Sequence, residues 1–170
     1  MTYDKNRAWS DRFLPHVKQI IGPHLLEVTP DLIDQKQAAD LMVLTARDIR
    51  IAVRVRRPGF AERYPYEFTI RAKLDSGAKT ELSKIVDGWG DWMLYGHSDA
   101  TEQRLCAWWL LDLHAFRAAL IRQATNGFKI SCGNKPNGDG THFKWFDVRS
   151  FPESPPLVIA SEPFNARAAA

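Results

Sequence analysis

Cysteine is scarce in this chain: Cys106 and Cys132 are the only two in 170 residues, and they form no Cys-x-x-Cys pair. That excludes a disulfide-stapled secreted scaffold and a zinc site built on clustered thiolates. The five histidines show neither His-x-x-x-His nor His-Glu-x-x-His spacing, so a zinc hydrolase is not expected. No apolar run approaches the roughly 20 residues that a bilayer-spanning helix needs. The opening residues carry no apolar signal segment. The expectation is a cytoplasmic protein without a membrane partner. A Walker A loop, a Rossmann glycine fingerprint and a Gly-x-Ser-x-Gly elbow are all missing, which argues against nucleotide-dependent and serine-hydrolase chemistry.

Net charge is also low. The 23 basic and 20 acidic residues leave a formal +3, too little to diagnose a polyanion ligand. Its distribution is more informative: Arg47, Arg50, Arg54, Arg56, Arg57, Arg63, Arg71 and Lys73 fall in one short stretch, opposed only by Asp48, Glu62 and Glu67. A 45% apolar share with six Trp and nine Phe predicts a packed core. At this length the chain reads as a single domain over 1–170 that unfolds cooperatively. The tryptophans leave open a homodimer built through exposed indole surface.

Periodicity orders the elements. Phe13, Leu14, Val17, Ile20, Ile21 and Leu25 recur at helical spacing over 11–26, ending near Gly22. A short apolar run follows at 41–44. Over 49–55, Ile51, Val53 and Val55 alternate with Arg50, Ala52 and Arg54, the pattern of a half-buried strand. Residues 68–72 read as the next strand, its hairpin neighbour. A short helix over 79–86 and a strand over 92–95 come next. Residues 105–123, rich in Leu and Trp, read as one long helix stopped at Asn126-Gly127. Strands at 128–132 and 142–148 flank a Gly- and Asn-rich connection and predict a C-terminal hairpin. Residues 151–170, with Pro152, Pro155, Pro156 and Pro163, read as an irregular tail.

The order helix, short strand headed by Asp40, arginine-rich strand, second strand, helix, strand resembles the core of the PD-(D/E)XK nuclease superfamily over 27–96. The resemblance implies an α/β (mixed α+β) fold, a restriction-endonuclease-like central mixed sheet flanked by helices. It also implies metal-dependent phosphodiester hydrolysis, with an Asp at the head of one strand and an acidic-x-Lys triplet on its neighbour holding Mg²⁺. Oxygen ligands are required because Mg²⁺ is a hard cation. Asp40, in Ala39-Asp40-Leu41-Met42-Val43, matches the first position. The triplet departs from the pattern, reading Arg54-Val55-Arg56, so that an acid and the lysine are both replaced. If the catalytic groups have moved, Glu67, Glu81 and Lys84 are the available replacements, with Asp40 and Glu67 as metal ligands.

Each candidate has a plainer alternative. Asp40 is also placed to cap a strand edge, and Glu81 and Lys84, three apart on a helix, to form a surface ion pair. Arg50, Arg54 and Arg56 project from alternate positions of one strand, with Arg71 on the next; they read as a phosphate-binding face or as cations paired to local acids. His97 is a general base if it reaches Asp40 and otherwise a turn residue. Trp108 and Trp109 offer a stacking face or fill the core. Asn137-Gly138-Asp139-Gly140 is a turn, since the glutamate of a calcium loop is missing. Two functions remain: a DNA- or RNA-binding domain of nuclease type, hydrolytic if Mg²⁺ binds, or a non-catalytic, phage- or mobile-element-like interaction protein on the same scaffold.

Overall fold

The computed structural model describes residues 3–25, 27–28, 41–42, 48–73, 77–137 and 140–165. The chain divides into two compact units, Met1–Ile49 and Arg50–Ala170.

In the first unit, the helix expected over 11–26 is two helices, α1 (Tyr3–Asp11) and α2 (Leu14–Ile21), followed by a 3-10 turn at Gly22–Leu25. Pro15 explains the break. It sits in the first turn of α2, where its missing N–H has no intrahelical acceptor to serve. Helix α2 buries Val17 and Ile21, and Phe13 at its N-cap meets Trp9 edge to face, centroids 5.1 Å apart. Strand β1 (Glu27–Val28) pairs antiparallel with β2 (Leu41–Met42). Asp40 lies outside the described residues.

The second unit is a mixed α/β fold with a central mixed sheet flanked by helices. The central sheet has the order β3 (Ile51–Arg56), β5 (Trp92–Ser98), β6 (Leu105–Asp112), β9 (Val158–Glu162), with β3 parallel to β5 and the other pairs antiparallel. A second, antiparallel sheet runs β4 (Glu67–Lys73), β8 (His142–Asp147), β7 (Cys132–Pro136). The helices are α3 (Phe60–Arg63), α4 (Glu81–Val86), which lies against β4, and α5 (Leu113–Asn126), which packs on β5 and β6.

Three expectations are corrected. Strands β3 and β4 are not hairpin neighbours. Gly59, in the left-handed region at φ +83°, turns the chain into the single-turn α3, and β4 enters the other sheet. There Phe68 stacks on Phe146 of β8 at 5.2 Å. The long helix over 105–123 is a strand followed by a helix. Leu105 to Leu111 is an unbroken apolar run, with Leu110 and Leu111 fully buried, the mark of a strand covered on both faces, which periodicity alone does not separate from a buried helix. Asp112 then starts α5 by accepting hydrogen bonds from the N–H groups of His114 and Ala115 at 2.6 and 3.1 Å. Finally, the tail is not wholly irregular, because β9 completes the central sheet beside β6.

The expected C-terminal hairpin is β7 and β8, although β7 begins at Cys132 where the sequence reading ended its strand. Its turn closes through Asn137 N–H donating to Thr141 O at 2.8 Å. The core of this unit joins the two sheets and α5. Phe68, Phe116, Phe146 and Phe151 form one aromatic cluster, extended to the central sheet by Phe68 against Tyr95 at 6.2 Å. Each of these buried rings contributes on the order of 1.5–3 kcal/mol.

Candidate nucleic-acid interface

Because β3 alternates, Arg54 and Arg56 leave it on one face. Its parallel register with β5 sets Arg54 opposite Tyr95 and Arg56 opposite His97. The second sheet supplies the other wall. Thr69 Oγ1 and Tyr95 Oη share a hydrogen bond of 3.2 Å, and the ring of Phe143 on β8 gathers three guanidinium groups. Arg54, Arg71 and Arg56 stand 4.6, 5.5 and 5.9 Å from its centroid. Arg56 also lies 4.6 Å from the ring of Phe60. Cation–π attraction offsets part of the mutual repulsion.

Among the described residues, one carboxylate pairs with this group. Glu81, in the first turn of α4, accepts from Arg54 Nη1 at 2.7 Å and from the backbone N–H of Arg71 at 3.2 Å. Helix α4 is held in place by Thr80, whose hydroxyl accepts from the N–H of Ser83. Arg56 and Arg71 have no carboxylate within ion-pairing distance among the described residues. The Nε atoms of Arg54 and Arg71 are sealed from solvent and have no hydrogen-bond partner among the described residues. Burial pulls the Arg56 guanidinium below its ordinary pKa, yet an arginine stays charged at neutral pH. Buried donors without acceptors are rare because each costs about 1–3 kcal/mol. Around Phe143, among the described residues, three guanidinium groups share the one carboxylate of Glu81, which leaves the cluster with an excess of positive charge.

Beside it lies a narrow recess with room for about one water molecule, walled by Arg56, Tyr64, Glu67, Thr69, His97 and Lys135. Lys135 Nζ donates to Tyr64 Oη at 2.9 Å, which lowers the phenol's pKa. His97 is buried within β5, and neither ring nitrogen has a hydrogen-bond partner among the described residues. Burial, and then the charge of Arg56, pull its pKa down to about 4, so the imidazole is neutral at physiological pH.

The remaining sequence candidates separate. Arg50 stands before β3 and is tied to Asp91, whose Oδ2 accepts its backbone N–H at 2.9 Å and its Nε at 3.2 Å; these bonds hold the Asp91 pKa at about 2. Glu67 heads β4 in the recess, and Lys84 is exposed on α4. Asp99 accepts the N–H groups of Gln103 and Arg104 in a turn. Trp109 belongs to the core, and Trp108 donates from Nε1 to Glu162 at 2.9 Å. Trp89 is the exposed indole, at 63%.

Of the expected Mg²⁺ ligands, Asp40 lies outside the described residues and Glu67 lines the recess. Glu81 is engaged by Arg54, Glu67 shares its recess with two cations, and among the described residues no three His, Cys, Asp or Glu side chains converge. Sequence reasoning missed Phe143, Lys135 and Tyr64. Phe143 sits in an alternating strand that was legible, but its place among the arginines depends on β4 pairing with β8 about 75 residues along the chain, which no local pattern encodes. Comparison with family models, with curated proteins and with solved structures finds no match to this chain.

Proposed function

We propose that this chain is a nucleic-acid-binding domain that grips the phosphate backbone with the guanidinium groups around Phe143 and does not cut it. The observation that carries the reading is the charge imbalance at that ring: among the described residues, three arginines against one carboxylate. Guanidinium groups suit phosphate oxygens through paired, charge-assisted hydrogen bonds. Such contacts position a strand without reading its bases. DNA and RNA are both compatible, as each offers the same phosphates.

The resemblance to the PD-(D/E)XK superfamily stops at element order, since β2 pairs with β1 and β3 with β5, and Arg54-Val55-Arg56 stands where the acidic-x-Lys triplet would fall. Arginine binds phosphate but neither ligates a metal nor serves as a base at neutral pH. The test is anisotropy of labelled single-stranded and duplex oligonucleotides of unrelated sequence, with Mg²⁺ present. Binding of similar strength across sequences, falling steeply with salt and leaving the strands intact, is the expected result. Cleavage that depends on Mg²⁺ and on Asp40 contradicts the non-cutting part, and absence of binding at low salt contradicts the whole.

A further inference from the structure

We infer that Trp89 is a stacking platform for an unpaired base, so that the nucleic acid gripped by the arginine cluster is single-stranded. This rests on the backbone-binding reading and adds to it the class of strand.

Trp89 is 63% exposed, yet the backbone that carries it is tied on both sides. Directly after α4, Gly88-Trp89-Gly90 sets a glycine on each side of the indole, both in the left-handed region, at φ +91° and +80°. Any other residue would strain either position. Trp89 N–H donates to Lys84 O at 2.9 Å, and Gly88 N–H to Ile85 O at 3.0 Å. Gly90 O accepts from Arg117 Nη1 of α5 at 3.3 Å, and Asp91 N–H donates to Arg50 O, just before β3, at 2.9 Å. The loop is thus anchored to two helices and to the start of the edge strand, while its one large side chain is left in water. An indole presented on a fixed backbone loses little conformational entropy when a flat ligand settles on it.

Charge around the loop selects that ligand. Lys79 is paired with Asp87 at 2.7 Å and Arg50 with Asp91 at 3.2 Å, which uses the local acids. Lys84 and Arg117 remain, without a carboxylate in ion-pairing distance among the described residues. An open aromatic plane beside two uncompensated cations suits a ligand that joins flat rings to negative charge, which is the repeating unit of a nucleic-acid strand.

The indole separates single strand from duplex. Paired bases stack on one another and show a protein only their edges, whereas a single strand can turn a base face onto a tryptophan. Charge alone gives the opposite order, because a duplex carries more charge per unit length than one strand. Helix α4 links the two anchors: Glu81 at its first residue holds Arg54, Trp89 follows its last, and its six residues span about 9 Å. One short strand reaches both.

The experiment uses the full chain and three ligands of one length: a single strand, its duplex, and the same single strand with abasic sites in place of its bases. The single strand is expected to bind on the order of tenfold tighter than the abasic strand, and tighter than the duplex. Trp89→Leu, which keeps an apolar side chain without a ring, is expected to lower single-strand affinity to that of the abasic strand, with melting temperature and duplex affinity unchanged. Trp89→Phe is expected to restore most of the loss. Duplex binding as tight as single-strand binding, or equal affinity for the single and abasic strands, overturns the stacking proposal while leaving the backbone reading standing. A preference for bases that survives Trp89→Leu overturns the assignment to Trp89. Should Trp89→Leu instead dissociate a dimer in light scattering and leave single-strand binding unchanged, the indole faces a second copy and the proposal fails. Absence of binding by all three ligands removes both readings together.

Discussion

Arg54 reaches from β3 to Glu81 on α4 with a 2.7 Å ion pair, so the one acid at the arginine cluster is a neighbour's side chain delivered by the helix that follows β4. The pair fastens α4 to the edge of the central sheet and at the same time masks part of the cluster's charge. Structure and binding are thus opposed at Glu81. Glu81→Gln is expected to cost about 1–2 kcal/mol in urea unfolding, less than a fully buried pair because the carboxylate is partly exposed. The same variant should bind oligonucleotides more tightly at low salt, since Arg54 becomes free for phosphate. A variant that loses stability without gaining affinity would assign the pair to structure alone.

His97 makes stability depend on pH in one direction. Its folded-state pKa, about 4, lies below the ordinary histidine value of 6.5. Between these limits the unfolded chain binds a proton that the folded chain does not. Its contribution is therefore intact above pH 6.5 and is lost progressively as pH falls toward 4, with a slope of about 1.4 kcal/mol per pH unit at most. His97→Phe, where it folds, should remove that slope. Urea midpoints measured at pH 7 and pH 5 for both proteins check this, and an unchanged slope in the variant would contradict it.

Asp112 is the junction between β6 and α5. Replacing it by Ala leaves the N–H groups of His114 and Ala115 without their side-chain acceptor. The expected loss is about 1 kcal/mol, read as a lower unfolding midpoint with an unchanged denaturant slope. A shift well under that value would mean that water replaces the cap at no cost.

What was legible in the sequence was local. Alternation in β3 and the arginines on one of its faces could be read directly, as could the helix around Glu81 and the C-terminal hairpin. The failures were failures of pairing and of period. Nothing local indicates that β3 takes β5 as its parallel partner while β4 crosses to β8. A run as apolar as Leu105 to Leu111 satisfies a helix pattern and a buried-strand pattern alike. At the site, Arg54, Arg56 and Arg71 were visible as a group by spacing. The ring that gathers them and the recess beside them exist only once the two sheets are in place.

If the cluster binds nucleic acid, Arg56 and Arg71, the two cluster arginines with no carboxylate partner among the described residues, hold phosphates. The direct measurement is the salt dependence of oligonucleotide affinity for the native chain and for the double variant Arg56→Gln, Arg71→Gln, below the melting temperature of each. The expected result is weaker binding of every sequence by a similar factor, with the slope of log affinity against log salt shallower by about two. Unchanged affinity and slope, with only a lower melting temperature, would contradict it.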